Sequence, residues 1–188
     1  MKHSDIRFDT SMMALLNHLI GRELTKYKCD PFIFSPLVYG IAGVCTKDLS
    51  IAFTNTIEVM DHYGQLEDVA VFRVSAMPEE KICSMVKGKN MQEIHIQQKI
   101  SEIQVVNENQ RLFNNEVQTY DVWITRGVIF KLADNLEISF EKNVWFSEMI
   151  TVERGYNLLE KFSPVSRFTE NWEGNYRGEC TREIITLH

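Results

Sequence analysis

The segment from Thr119 to Glu153, TYDVWITRGVIFKLADNLEISFEKNVWFSEMITVE, reads as three successive β-strands with tight connections and apolar residues at every second position. If a single strand continues from Tyr120 to Leu132, then Tyr120, Val122, Ile124, Val128, Phe130 and Leu132 share one face, while Asp121, Thr125 and Lys131 fall on the other. Leu136, Ile138 and Phe140 then alternate with Glu137, Ser139 and Glu141, after Ala133-Asp134-Asn135, residues that a short hairpin loop tolerates. Strands covered by helices on both faces lose their polar positions, so this alternation predicts antiparallel pairing with one core face and one wet face.

The rest of the chain fits around such a sheet. Thr10 or Ser11 can cap a first helix with a stripe of Met12, Met13, Leu15, Leu16, Leu19 and Ile20, ending near Gly21 or Leu24. Pro31 and Pro36 push their predecessors out of helical conformation, which predicts an extended connection over KCDPFIFSPLVYG. From Val38 a β-meander is expected: VYGIAGVC, LSIAFTN, TIEVMD and, after a turn at His62-Tyr63-Gly64-Gln65, EDVAVFRVS. Pro78 and Glu79-Glu80 are suited to open a short helix, PEEKICSMVK, with Gly88 beyond it. A strand is expected over Ser101–Val106, then a polar loop, NENQRLFNNEVQ, as the candidate mobile insertion. After the three main strands come a helical turn at NLLEKF, another from Ser163-Pro164 with Phe168 and Trp172 on one side, a loop at WEGNYRGE and a closing strand, TREIITLH. The expected fold is α+β, mainly antiparallel sheet with an N-terminal helix and short additional helices, as one domain over 1–188; two subdomains breaking near 87–90 are the alternative.

Composition narrows function by exclusion. A chain of 188 residues that is 44% hydrophobic can bury an ordinary core. MKHSDIRFDT lacks a signal-peptide core and no stretch approaches bilayer-spanning length, so a cytoplasmic protein without membrane attachment is expected. Cys29, Cys45, Cys83 and Cys180 form no C-x-x-C pair, and the five histidines show no metal-ligand spacing. No metal or other cofactor is expected. Residues 1–100 carry 11 Lys+Arg against 12 Asp+Glu, and residues 101–188 carry 9 against 14, so the net charge of -6 is concentrated in the C-terminal half. A chain that grips a phosphate backbone usually shows a basic balance or stripe, which disfavours direct nucleic-acid binding.

Catalytic motifs are equally sparse. The Gly40-x-x-Gly43 pair and Gly88 lack the strand-loop-helix context of a phosphate loop, and no serine sits in a G-x-S-x-G elbow. The residues left for chemistry are Cys45, Asp61, His62 and Cys83, which would have to meet from separate segments to form a thiol and base. A second set, Asp121, Trp123, Glu137, Glu141 and Trp145, falls on the less apolar side of the main strands, where aromatic and acidic residues can make a protein-interaction surface unless a helix covers them.

The segments YDVWITRGVIFKL, EISFEKNVWFSEMI, RGYNLLEKFSPVSRF and CTREI together resemble small accessory proteins of the mobile genetic elements of low-GC Gram-positive bacteria. Some of those proteins are anti-CRISPR inhibitors. The resemblance covers the C-terminal half and implies a non-enzymatic inhibitor whose partner is a host defence protein, such as a CRISPR-associated nuclease, blocked in DNA binding or cleavage by acidic and aromatic contacts at its nucleic-acid groove. The alternative function is a small enzyme or ligand-binding protein with a site built from the separated Cys, His and Asp residues.

Overall fold

The computed structural model describes residues 1–30 and 37–188. Among these residues eleven strands form one continuous, mainly antiparallel system with a short N-terminal helix and small helical turns, an α+β fold. The strands are β1 (Lys2–Ile6), β2 (Glu23–Cys29), β3 (Leu37–Tyr39), β4 (Ile41–Thr46), β5 (Ser50–His62), β6 (Gln65–Ala76), β7 (Gln92–Asn114), β8 (Val117–Leu132), β9 (Glu137–Lys142), β10 (Met149–Gly155) and β11 (Tyr176–Leu187). Helix α1 spans Thr10–Asn17 and α2 spans Ser166–Thr169, with single 3-10 turns at Glu79–Lys81 and Leu158–Lys161. Among the described residues no helix is long and apolar enough to cross a membrane.

Two long strands organise the molecule by changing partners along their length. One edge of β7 pairs with β2 over Gln92–Lys99 and then with β11 over Ile103–Asn114, while its other edge pairs with β8. Strand β8 likewise takes β1, in parallel, over Tyr120–Ile124, and then β9 over Gly127–Lys131. The strand order is β3-β10-β9-β8-β7-β2-β4-β5-β6, and β3 runs into β4 through Gly40 alone. The path therefore returns on itself, and β10, β9, β8, β7, β2 and β3/β4 close into a ring. Every strand of that ring contributes to one core, including Val38, Val44, Tyr27, Ile103, Phe130, Phe140 and Ile150, with Phe53 and Phe72 stacked among them. Leu16 and Leu19, from α1 and the turn after it, are fully buried in the same core. Strands on both sides of residues 87–90 share the sheet, since β2 pairs with β4 on one edge and with β7 on the other.

Several local expectations are corrected. The cap of α1 is Asp9, whose carboxylate accepts from Met12 N at 2.9 Å, rather than Thr10 or Ser11. Residues 23–29 form β2 instead of a helix end, and the extended connection expected at Pro31 and Pro36 lies outside the described residues. LSIAFTN and TIEVMD are one strand, β5. PEEKICSMVK makes only a 3-10 turn, because Ile82 turns inward to pack where Gly43 leaves no side chain in its way. The polar loop expected at NENQRLFNNEVQ is strand: Asn107–Asn114 belong to β7, hydrogen-bonded to β8 and β11 on both edges.

The single core face expected along β8 is interrupted by a bulge. Between Val106 and Asn107 the register shifts, leaving Arg126 as an extra residue on β8. Val128, Phe130 and Leu132 point into the core, while Ile124 and Arg126 face a cavity on the other side. That other side is not wet. The segment from Asn157 to Trp172 folds over it, so Ile129 and Val106 pack with Phe162 and Leu159 in a second apolar cluster.

Candidate functional site

The bulge, the covering segment and the far end of the β5–β6 ribbon border a half-open cavity of ≈ 250 Å³. It is built from five stretches far apart in sequence: the ribbon tip, the middle of β7, the Arg126 bulge, the end of β9 with its following loop, and the segment ending at Trp172. The tip is a two-residue hairpin turn with Tyr63 and Gly64 at φ 52° and 104°, a geometry that glycine adopts freely and that matches the twist of the flanking strands. Asp61 accepts from Gly64 N at 3.3 Å and pairs with Lys2 at 2.7 Å, which fastens the tip beside β1.

The turn drives Tyr63 into an aromatic cage of Tyr120, Trp145, Phe168 and Trp172, with ring centroids 5.2 to 6.3 Å away. Its hydroxyl donates to Gln110 Oε1 at 3.1 Å, and Trp145 Nε1 donates to the same oxygen at 3.0 Å. Trp172 can lie against β11 only because residue 178 is glycine; a Cβ there would collide with the indole. His62 packs edge-on against Trp145 and Phe146, and burial pushes its imidazole below the usual histidine range, with Lys142 adding to the effect.

The polar base of the cavity has its carboxylates already committed. Glu108 accepts from Arg182 at 2.6 Å through one oxygen and from Gln110 Nε2 at 3.3 Å through the other. Arg126 donates to Glu141 at 3.0 Å, and the same Glu141 oxygen accepts from Ser163 N at 2.9 Å, which ties the covering segment to β9. Lys142 has no such partner. Its side chain is 1% exposed, its Nζ donates to the Val144 carbonyl at 3.3 Å and lies 5.6 Å from the Trp145 ring centre, and it forms no ion pair among the described residues. Burial, reinforced by neighbouring Arg126, lowers its pKa to about 7. His62 Nε2 and Trp172 Nε1 are also buried without a partner among the described residues. Among the described residues the site thus has unused donors on Lys142 and Trp172, and an imidazole nitrogen of His62 whose role is set by its tautomer.

The residues expected from sequence are distributed unevenly around this site. Trp145 forms its wall, and Glu141 sits just behind Arg126. Glu137 accepts from Leu158 N at 2.7 Å at the opposite end of β9. Asp121 is held by Asn109 and His3, and Trp123 lies under the Arg7 guanidinium, 4.3 Å from its ring centre; both sit where β1 pairs with β8. His62 lines the cavity and Asp61 braces its tip, but no cysteine joins them. Cys45 pairs with Ser50 at the start of β5, about 40 Å of extended strand from His62. Cys83 is exposed and donates to the Glu80 carbonyl at 3.1 Å. Cys29 and Cys180 are pushed up to about 12, chiefly by burial, which makes both poor nucleophiles. No group of three or more His, Cys, Asp or Glu side chains gathers as metal ligands among the described residues.

Lys142, Arg126, Gln110, Tyr63 and Trp172 were not singled out from sequence. The available signal was the placement of large aromatics in connections, at His62-Tyr63-Gly64 and Val144-Trp145-Phe146, where solvent exposure would otherwise waste their apolar surface. Compared with models of protein families, with curated proteins and with solved structures, the chain finds no match in any of the three.

Proposed function

We propose that the protein binds a small organic ligand whose apolar, ring-sized body lies among Trp145, Phe146, Phe168 and Trp172, and whose oxygen acceptors meet the donors around Lys142. The observation that carries this reading is Lys142 itself: a buried amine with no carboxylate partner among the described residues, on an aromatic-walled cavity whose acidic side chains are already engaged. Burying such a group costs several kcal/mol unless something compensates it, and an acceptor-bearing ligand supplies the compensation. The cavity, ≈ 250 Å³, is smaller than the roughly 300 to 1,000 Å³ usual for organic ligands, which favours a single substituted ring over a nucleotide.

Titration of tryptophan fluorescence with benzoate, and with benzylamine as the cationic counterpart, tests the proposal. Benzoate should bind saturably and benzylamine should not. Lys142→Met should weaken benzoate by roughly 10- to 100-fold, the equivalent of one hydrogen bond to a charged group. Equal binding of the two probes, or none by either, would overturn the reading.

A second reading has a separate observation in its favour. Ile57, Val59 and Leu66 stand exposed on the β5–β6 ribbon, apolar residues that a protein partner can cover. They support the inhibitor of a host defence nuclease better than Asp121, Glu137 and Glu141 do, because those carboxylates already serve partners within the fold. Pull-down with a guide-loaded CRISPR nuclease, comparing the parent chain with Val59→Ser/Leu66→Ser, is the test; binding that is absent or indifferent to both substitutions removes the support.

A further inference from the structure

Resting on the ligand-binding reading above, we propose that Lys142 captures its ligand covalently, its amine forming a reversible imine with a carbonyl group seated in the cavity. Three features converge on this nitrogen. It lies on the last residue of β9, so its backbone is fixed by pairing with β10 at Ile150. Its side chain is enclosed, and among the described residues the only acceptor it meets is a backbone carbonyl at 3.3 Å, with no carboxylate there to hold it as an ammonium ion. The walls are aromatic, so an imine formed on this nitrogen lies against apolar rings on one side of a half-open cavity.

The charge environment acts in the same direction. Arg126 on β8 opposes a second positive charge beside it, and its own carboxylate partner, Glu141, is spent on it and on Ser163 N. From β7, Glu108 is neutralised by Arg182; from the ribbon tip, His62 is held toward its neutral form. At pH 7 about half of Lys142 is therefore free amine, against about one part in 2,500 for a solvent-exposed lysine, a difference of about 10³-fold in the reactive form. The reaction balances with no further reactant: the nitrogen lone pair attacks the carbonyl carbon, a C=N bond replaces C=O, and the two amine hydrogens leave with the oxygen as water.

Benzaldehyde with cyanoborohydride at pH 7, followed by peptide mapping, reads the capture, and benzoate monitored by tryptophan fluorescence reads the cavity separately. The expected result is a single reduced benzyl adduct on Lys142, at least tenfold above Lys47 or Lys87, competed by benzoate and absent from Lys142→Met. Lys142→Arg, which keeps the cation but not the nucleophile, should bind benzoate and give no adduct. Saturable binding of benzoate with no preference for Lys142 in the adduct map would overturn covalent capture and leave the cavity reading standing. Failure of both probes to bind would overturn both.

Discussion

Lys142→Met should make the protein more stable, and the gain should depend on pH in a manner fixed by the direction of the Lys142 shift. Methionine has nearly the length and flexibility of the lysine stem and suits a pocket edged by Trp145 and Phe146. The lysine pKa is about 7 in the folded chain against an ordinary 10.5, so the unfolded chain binds the proton more tightly than the folded one. Stability therefore rises with pH between about 7 and 10.5, and below 7, where both states are protonated, the whole burial penalty is present. At about 1.4 kcal/mol per pKa unit, this is nearly 5 kcal/mol below pH 6 and about 4 kcal/mol at pH 7. Urea denaturation of the parent chain and the variant from pH 6 to 10 measures it, and subtracting the two curves cancels the titrating groups that Lys142 does not influence, His62 being the exception at the acid end. The variant should lead by about 4 kcal/mol at pH 7, a rise of roughly 8 to 16 °C in Tm, and the lead should fall below about 1 kcal/mol by pH 10. A gain below about 1 kcal/mol at pH 7, or one constant across the range, would refute the argument that Lys142 is buried without compensation.

Three further perturbations test the walls of the cavity. Tyr63→Phe keeps the ring in its aromatic cage and removes one donor to Gln110 Oε1, so it should cost about 1 kcal/mol in thermal unfolding, whereas Tyr63→Ala should cost about 3 to 5 kcal/mol and abolish benzoate binding. Glu141→Leu strands the Arg126 guanidinium, of which only 9% is exposed, and should destabilise by about 3 to 5 kcal/mol; the double variant with Arg126→Leu should recover most of that loss. Gly178→Ala displaces the Trp172 indole from β11 and should shift tryptophan emission to the red while weakening benzoate, with no effect on secondary structure by circular dichroism.

How much of this was legible in the sequence depends on whether the deciding interaction was local. The three strands from Thr119 to Glu153, the Tyr63-Gly64 turn and the Ala133–Asn135 connection were readable because period-two alternation and turn residues act over a few positions. Residues 107–114 were not, since Asn and Gln read as loop until their partners are known. Asn107 bonds Thr125 and Glu183, Asn109 bonds Asp121, and Gln110 joins Tyr63 and Trp145, all from other segments. The Arg126 bulge is invisible for a related reason: it is a register event between two strands and leaves no mark on either strand alone. Because the bulge aims Arg126 into the cavity, missing it meant missing the site. Trp145 was picked out by its aromatic character and His62 by its chemistry, but Lys142 is ordinary until the fold encloses it.

The ring of strands has a seam. It closes where Leu37–Tyr39 meets Met149–Thr151 in three register pairs, supported by Asn55, whose side-chain amide donates to the carbonyls of Ser147 and Met149. These residues come from opposite halves of the chain, so closing the ring carries the loop-closure entropy of a long-range pairing, of the kind that slows proteins of high contact order. The loop that follows β9 and carries Trp145 runs directly into this seam. One wall of the cavity therefore hangs from a joint of only three register pairs, and fraying of that joint would loosen the Trp145 wall without unpacking the core.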